Sequence, residues 1–316
     1  MSGIDVKKAN TVVERFGRIL LPLITVFDKD FSLNYPLTQE IAHFVVERYL
    51  CDSMIVSGTT GEFYALSFDE RVRLLETIQR GLKGLIPLIA GTGATSTWET
   101  IALTKIAEDL GYDAVMVVAP YYSHPDQEGI FLHFKAIAES TSLPVMVYNI
   151  PLFAGVNIEP KTAARLADIE NIAAIKEEAG LNPLQTTSYI TETQGRLAVY
   201  SGDDPMTLQV LVQGGVGVVS GGAHVVGDVI RRMIEAFLAG KNEEATQIHQ
   251  SLTKIFSAFH GPRGCRVNPT PLVKAAVELV SGLPVSLPRP PLTPATDEEK
   301  AILKEALKAL GKLGVS

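Results

Sequence analysis

Lys176 terminates the apolar run IAAIK and is followed by Glu177 and Glu178. A lysine at the end of a buried strand loses hydration. That can lower its pKa toward roughly 7–8 and make the amine a nucleophile toward ketones. The plainer alternative is a rim lysine paired with Glu177 or Glu178. Tyr148 closes the run PVMVYN. A phenol there can relay protons while a Schiff base forms and hydrolyses, or can be a buried tyrosine with one hydrogen bond. Thr59 and Thr60 sit between glycines in GTTGE, 58–62. Such a loop can present backbone N–H groups and hydroxyls to a carboxylate, or can be a structural turn. Asp203 and Asp204 read as a helix N-cap pair rather than a metal site, and Glu62, Glu177 and Glu178 as structural or solvated carboxylates. His124 and His224 are single and lack ligand spacing, so no metal site is expected.

These residues need elements to hold them. Eight short apolar runs recur: ILLPLITV (19–26), SMIVSG (53–58), IPLIAG (86–91), DAVMVVA (113–119), PVMVYN (144–149), IAAIKE (172–177), LAVYSG (197–202) and VGVVSG (216–221). They are continuous rather than alternating, as strands buried on both faces are. Helical patterns lie between them. LTQEIAHFVVERYL puts Ile41, Phe44, Val45 and Leu50 roughly on one face. SFDERVRLLETIQRGL opens with Ser67 and has Glu70 three residues later, a capping box.

Eight βα units predict an α/β fold, a closed (β/α)8 TIM barrel with additional C-terminal helices. An open doubly wound sheet would carry a phosphate fingerprint after its first strand. TVFDKDF has none, and GTGATS (91–96) has serine where a third glycine belongs. The predicted organisation is an N-terminal extension (1–16), the barrel (17–240) and a helical region packed on it (241–316). Further helices are predicted near 227–240, 242–260, 270–281 and 296–311, with LPVSLPRPPLTPAT as an ordered connector. In such barrels chemistry sits at the C-terminal ends of the strands, where Lys176, Tyr148 and GTTGE all fall.

Composition excludes other classes. The chain has 316 residues, 46% hydrophobic and 20% charged, which is ordinary for a globular enzyme. Its net charge of −7 gives no electrostatic footprint for nucleic acid or an anionic membrane surface. Residues 1–16 lack the apolar region of a signal peptide, and the glycine-rich stretch 206–227 reads as helix, turn and strand rather than a membrane span. Two isolated cysteines fit a reducing cytoplasm.

Over residues 17–312 the chain resembles the family of dihydrodipicolinate synthase and N-acetylneuraminate lyase, closest to the synthase. GTTGE is similar to the family's pyruvate-carboxylate loop. PYYSHPDQEGIFLHFKAIAESTSLPVMVYNIP, AAIKEE, SGDD, GVGVVSGGAHVVGD and NPTPLVKAAVEL complete the likeness. The resemblance implies that Lys176 forms an imine with pyruvate or another 2-oxo acid, and that Tyr148 handles protons at the substrate carbonyl. It implies that Thr60 links Tyr148 to Tyr122, which reaches in from a neighbouring subunit of a homotetramer. Thr59 and Thr60 would hold the carboxylate, and Gly202 and Val219 would line the pocket through their backbones. No metal or organic cofactor is implied, and the partners are a 2-oxo acid and an aldehyde. The synthase carries an arginine for the second substrate's carboxylate five residues after the catalytic tyrosine. Here that residue is Phe153, which predicts that aspartate semialdehyde is a poor acceptor. Within the family the alternatives are aldolases for 2-keto-3-deoxy sugar acids, N-acetylneuraminate or 4-hydroxy-2-oxoglutarate. Outside it they are a non-catalytic 2-oxo acid sensor and a metal-dependent aldolase.

Overall fold

A computed structural model describes residues 7–178, 180 and 182–313. Eight parallel strands close into a barrel in sequence order. They are β1 (Ile19–Pro22), β2 (Ser53–Val56), β3 (Leu88–Gly91), β4 (Ala114–Val118), β5 (Val145–Asn149), β6 (Ile172–Glu177), β7 (Ala198–Ser201) and β8 (Gly217–Val219). Each of the eight apolar runs contains one of them. The barrel is sealed where Ile19 and Leu20 pair with Val218 and Val219. The runs overshoot the strands at their C-terminal ends. ILLPLITV yields a strand only to Pro22, yet Leu23, Ile24 and Val26 remain buried. Apolarity reports burial, and the loop beyond a strand can be as buried as the strand itself.

The chain forms two compact units. The first takes the described parts of Met1–Leu20, then Asp52–Val56 and Ile86–Val219, and so holds β2 to β8 and the sealing half of β1. Tyr200 of β7 donates its phenol proton to the Gly17 carbonyl at 2.7 Å. The helix Lys7–Phe16, in the expected extension, buries Val12 and Phe16 and packs against β6 and β7. Gly217 must be glycine, because a Cβ there would lie 2.1 Å from the Arg18 carbonyl oxygen.

The second unit takes Leu21–Cys51, Ser57–Leu85 and the described part of Ser220–Ser316. Its helices include Tyr35–Glu47, Phe68–Leu82, Ala223–Leu238, Asn242–Ala258, Thr270–Ser281 and Asp297–Ala309. The capping box forms as expected. Ser67 Oγ accepts from the Glu70 amide at 3.2 Å, and Glu70 returns a bond to the Ser67 amide at 2.8 Å. Leu50 is buried but lies beyond its helix, which ends at Glu47 before Tyr49 turns to positive φ. The proline-rich connector is ordered by Arg289. Its guanidinium grips the Glu70 carboxylate at 2.8 and 2.9 Å and donates to the Phe31 and Ala65 carbonyls.

Within this unit the loop GTTGE is anchored from below. Glu62 has a left-handed φ of 55° and no solvent exposure. One carboxylate oxygen accepts from Lys274 Nζ at 2.8 Å and the other from the Arg289 amide at 2.8 Å. Lys274 is also fully buried and donates to the Leu287 carbonyl at 2.5 Å. Burial lowers its pKa against the opposing pull of Glu62. Thus Glu62 is structural, as the sequence suggested. His224 is a neutral clamp: Nδ1 donates to the Gly221 carbonyl at 2.8 Å, and Nε2 accepts from the Ile24 amide at 3.2 Å.

Two outcomes test these points. Lys274→Met strands the Glu62 carboxylate and should cost about 3–5 kcal/mol in urea unfolding, whereas adding Glu62→Gln should recover at least half. His224 and the buried His133 both have pKa values lowered by burial to about 4. The unfolded chain therefore takes up these protons near pH 6.5, while the folded one refuses them until about pH 4. Stability should fall across that window on acidification, and His133→Gln should flatten part of the slope in a series of thermal melts.

Candidate active site

The first unit gathers its chemistry at the C-terminal ends of β5, β6 and β7. Tyr148 and Lys176 are register partners on adjacent parallel strands, so they project to the same side of the sheet. Lys176 is 5% exposed, and its Nζ lies 3.9 Å from the Tyr148 ring centroid. A cation over a phenol face is held partly by the ring quadrupole. The amine is held at the inner end of its strand, and the pairing with Glu178 named as the plainer alternative is also present, at 3.3 Å.

Alternation along the chain then sorts the two glutamates. Glu177 turns the other way and is buried among amides, accepting from Asn149 Nδ2 at 3.1 Å and Gln185 Nε2 at 3.2 Å. Asn149 in turn accepts from the Ile158 amide at 2.9 Å. Glu177 is structural, as read from the sequence. Glu178 is two residues beyond Lys176 and shares its side. Its amide continues the ladder by donating to the Asn149 carbonyl at 3.0 Å. Its Oε2 accepts the Tyr148 phenol proton at 2.7 Å and lies 3.3 Å from Lys176 Nζ. Of the two readings, structural or solvated, Glu178 keeps part of each: it is paired on its inner side and 27% exposed. The Tyr148 phenol thus has a carboxylate acceptor on the neighbouring strand end. The signal available in the sequence was the i, i+2 spacing from Lys176 on a strand end.

Gly202 follows β7, and its amide donates to the Glu177 carbonyl at 2.7 Å. A Cβ at Gly202 would fall 2.8 Å from both Lys176 Cε and Glu178 Cβ. Only glycine leaves room for the lysine and the glutamate side by side. Asp203 makes no helix-capping bond through its side chain, contrary to expectation. Its carboxyl is pushed up to about 7, first by burial, then by the charges of Glu178 and Asp204, with Lys176 pulling the other way. Val219 ends β8 and is buried.

The remaining predicted residues lie nearby in sequence to strand ends. Phe153 is in the short helix Pro151–Ala154 directly after β5 and is 38% exposed. Tyr122, after β4, is 92% exposed and has a φ of 70°. Thr59 and Thr60 belong to the second unit, in the turn after β2, and are half-buried. Among the described residues no cluster of three or more His, Cys, Asp or Glu is arranged to hold a metal ion. Among the same residues no helix is long and apolar enough to cross a membrane.

Comparison with known proteins shows the family of the chain. The model of the dihydrodipicolinate synthetase family matches residues 15–310. The chain is 45% identical over 293 residues to 4-hydroxy-tetrahydrodipicolinate synthase of Desulforudis audaxviator, covering 93% of this chain and 97% of that one. Among solved structures it is similar to dihydrodipicolinate synthase from Bacillus anthracis, at 41% identity and a TM-score of 0.86 over 93% of this chain and 98% of the other. It is also similar to the enzyme from Cyanidioschyzon merolae with lysine bound, at 39% identity and a TM-score of 0.88 over 94% and 99%. Strand order, the barrel-end lysine and these likenesses converge: the chain belongs to the dihydrodipicolinate synthetase family.

Proposed function

We propose that Lys176 is the amine through which this family enzyme holds pyruvate as a Schiff base for joining to, or release from, an aldehyde. The observation that carries the reading is the buried Lys176 Nζ set 3.9 Å from the Tyr148 ring at paired strand ends. The amine adds to the ketone carbon and the carbinolamine loses water. The resulting iminium withdraws electrons from the neighbouring methyl, which gives up a proton to become an enamine. The enamine carbon then attacks the aldehyde, and hydrolysis frees the product. Tyr148 supplies the phenol for proton movement at the carbonyl oxygen.

In this reading the Thr59 and Thr60 loop receives the 2-oxo acid carboxylate. Gly202 and Val219 line the pocket with backbone, and Phe153 faces the acceptor end. Tyr122 completes the site of a second subunit in a homotetramer. Its near-complete exposure and left-handed backbone support this, as do the exposed Trp98 and Leu152 of the same unit. The reading places the enzyme in the cytoplasm, which keeps thiols such as Cys51 and Cys265 reduced.

Phe153 bears on the acceptor. Burying a second carboxylate without a cation or several donors costs several kcal/mol, and a phenyl ring supplies neither. The cluster already contains the carboxyls of Glu178 and Asp203. An aldehyde with an uncharged end therefore suits this mouth better than aspartate semialdehyde.

Two experiments check the reading. Pyruvate with borohydride should leave a reduced pyruvyl group on Lys176, and Lys176→Ala should lose the label together with roughly 10³-fold or more of the turnover. Tyr148→Phe should slow kcat by about 10²–10⁴-fold with the barrel intact. Labelling of another lysine in active protein would overturn the assignment. For the acceptor, kcat/KM for uncharged aldehydes should exceed that for aspartate semialdehyde. Phe153→Arg should raise the latter by about tenfold or more, the worth of a charge-assisted hydrogen bond. A wild type that already prefers the semialdehyde by a large factor contradicts the role given to Phe153.

A further inference from the structure

We propose that Glu178 is a catalytic residue of this enzyme: its carboxylate takes the proton that Lys176 must lose before attack and returns it, through the Tyr148 phenol, to the departing hydroxyl. The inference rests on Lys176 being the imine-forming amine. It comes from one oxygen atom. Oε2 of Glu178 stands 3.3 Å from the lysine Nζ and 2.7 Å from the phenol oxygen that donates to it. A carboxylate placed only for structure does not need both partners on one oxygen.

The proton count closes. An amine attacks a carbonyl through its lone pair, so the ammonium first gives a proton to Glu178, leaving a neutral amine and a carboxylic acid. The nitrogen bonds to the ketone carbon while the C=O π pair moves to oxygen. One N–H proton then passes to that oxygen, giving a neutral carbinolamine. The acid proton of Glu178 moves to Tyr148 as Tyr148 passes its own to the hydroxyl. The C–O bond breaks, water leaves and the nitrogen lone pair forms the C=N bond. Glu178 ends as a carboxylate beside an iminium, so ammonium and ketone have become iminium and water. Hydrolysis runs the same steps backward.

The surroundings support the assignment. The titratable groups acting on this carboxylate are Tyr148 on β5, Lys176 on β6 and Asp203 after β7, whereas Glu177 is turned away into its amides. Asp203 is half-buried and feels the charge of Glu178, and its carboxyl is pushed up to about 7. That leaves Glu178 as the carboxylate in contact with the amine. The Glu178 side chain is 27% exposed, which gives it a route to exchange protons with water between turnovers. Gly202 makes the contact possible, since a Cβ there would lie 2.9 Å from that same Oε2.

The test follows imine trapping by pyruvate and cyanoborohydride in wild type, E178Q and E178D. Glutamine keeps the shape and can still accept from the phenol, but it cannot take the proton. E178Q should label Lys176 about tenfold or more slowly near pH 7, and the gap should close toward about pH 9 as hydroxide takes over the proton removal. E178D should keep the wild-type pH dependence at a reduced rate. An E178Q that traps at the wild-type rate, or loses the same factor at every pH, overturns the proposal. So does an E178D whose profile matches that of E178Q. Label appearing on a different lysine would instead sink the assignment of Lys176, which separates the two failures.

Discussion

The pairing of β5 with β6 is the constraint on which the site depends. Parallel strands in register put Tyr148 opposite Lys176, and Asn149 opposite Glu177. From that single alignment, alternation sends Tyr148, Lys176 and Glu178 one way and Asn149 and Glu177 the other. A slip of one residue would exchange the two sets. The buried amides around Glu177, drawn from Asn149, Asn157 and Gln185, hold the outer side of this pair in place. The inner side is then free to be reactive.

Buried charge recurs in the molecule with two different outcomes. Glu62 and Lys274 face each other, the first also bonded by the Arg289 amide and the second by the Leu287 carbonyl. Such a pair fixes a backbone shape and has little left to give to chemistry. Its effect is to hold the left-handed turn at the foot of GTTGE. The cluster at Lys176 is built the other way. One lysine meets several carboxyls, a phenol and partial solvent access, so its protons have more than one place to go. Burial and neighbouring charge raise the Asp203 carboxyl here, and a perturbed carboxyl in such a mixed setting is characteristic of reactive centres.

Glycine decides how closely these groups pack. At Gly202 a methyl group would collide with both Lys176 and Glu178. At Gly217 it would collide with the backbone of Arg18, the residue just before the strand that seals the barrel. The first glycine serves the chemistry and the second serves closure, and both fall within the apolar runs of the sequence.

Much of this was legible in the residues alone. Eight continuous apolar runs fix eight buried parallel strands, because only strands covered on both faces can afford no polar alternation. The capping residues Ser67 and Glu70 mark a helix start, because they satisfy amides that nothing else reaches. Lys176 was visible because a charge ending an apolar strand is costly unless it is used or paired. The tertiary structure decided the rest. Asp203 looked like a cap because Asp after a strand commonly is one, yet its side chain makes no such bond. Glu178 read only as a structural or solvated carboxylate, since nothing in a linear sequence says that β5 will bring a phenol to it. Composition and periodicity are local properties and determined the elements. The meeting of Glu178, Tyr148 and Lys176 depends on strand register between segments some thirty residues apart, and only the closed barrel sets that register.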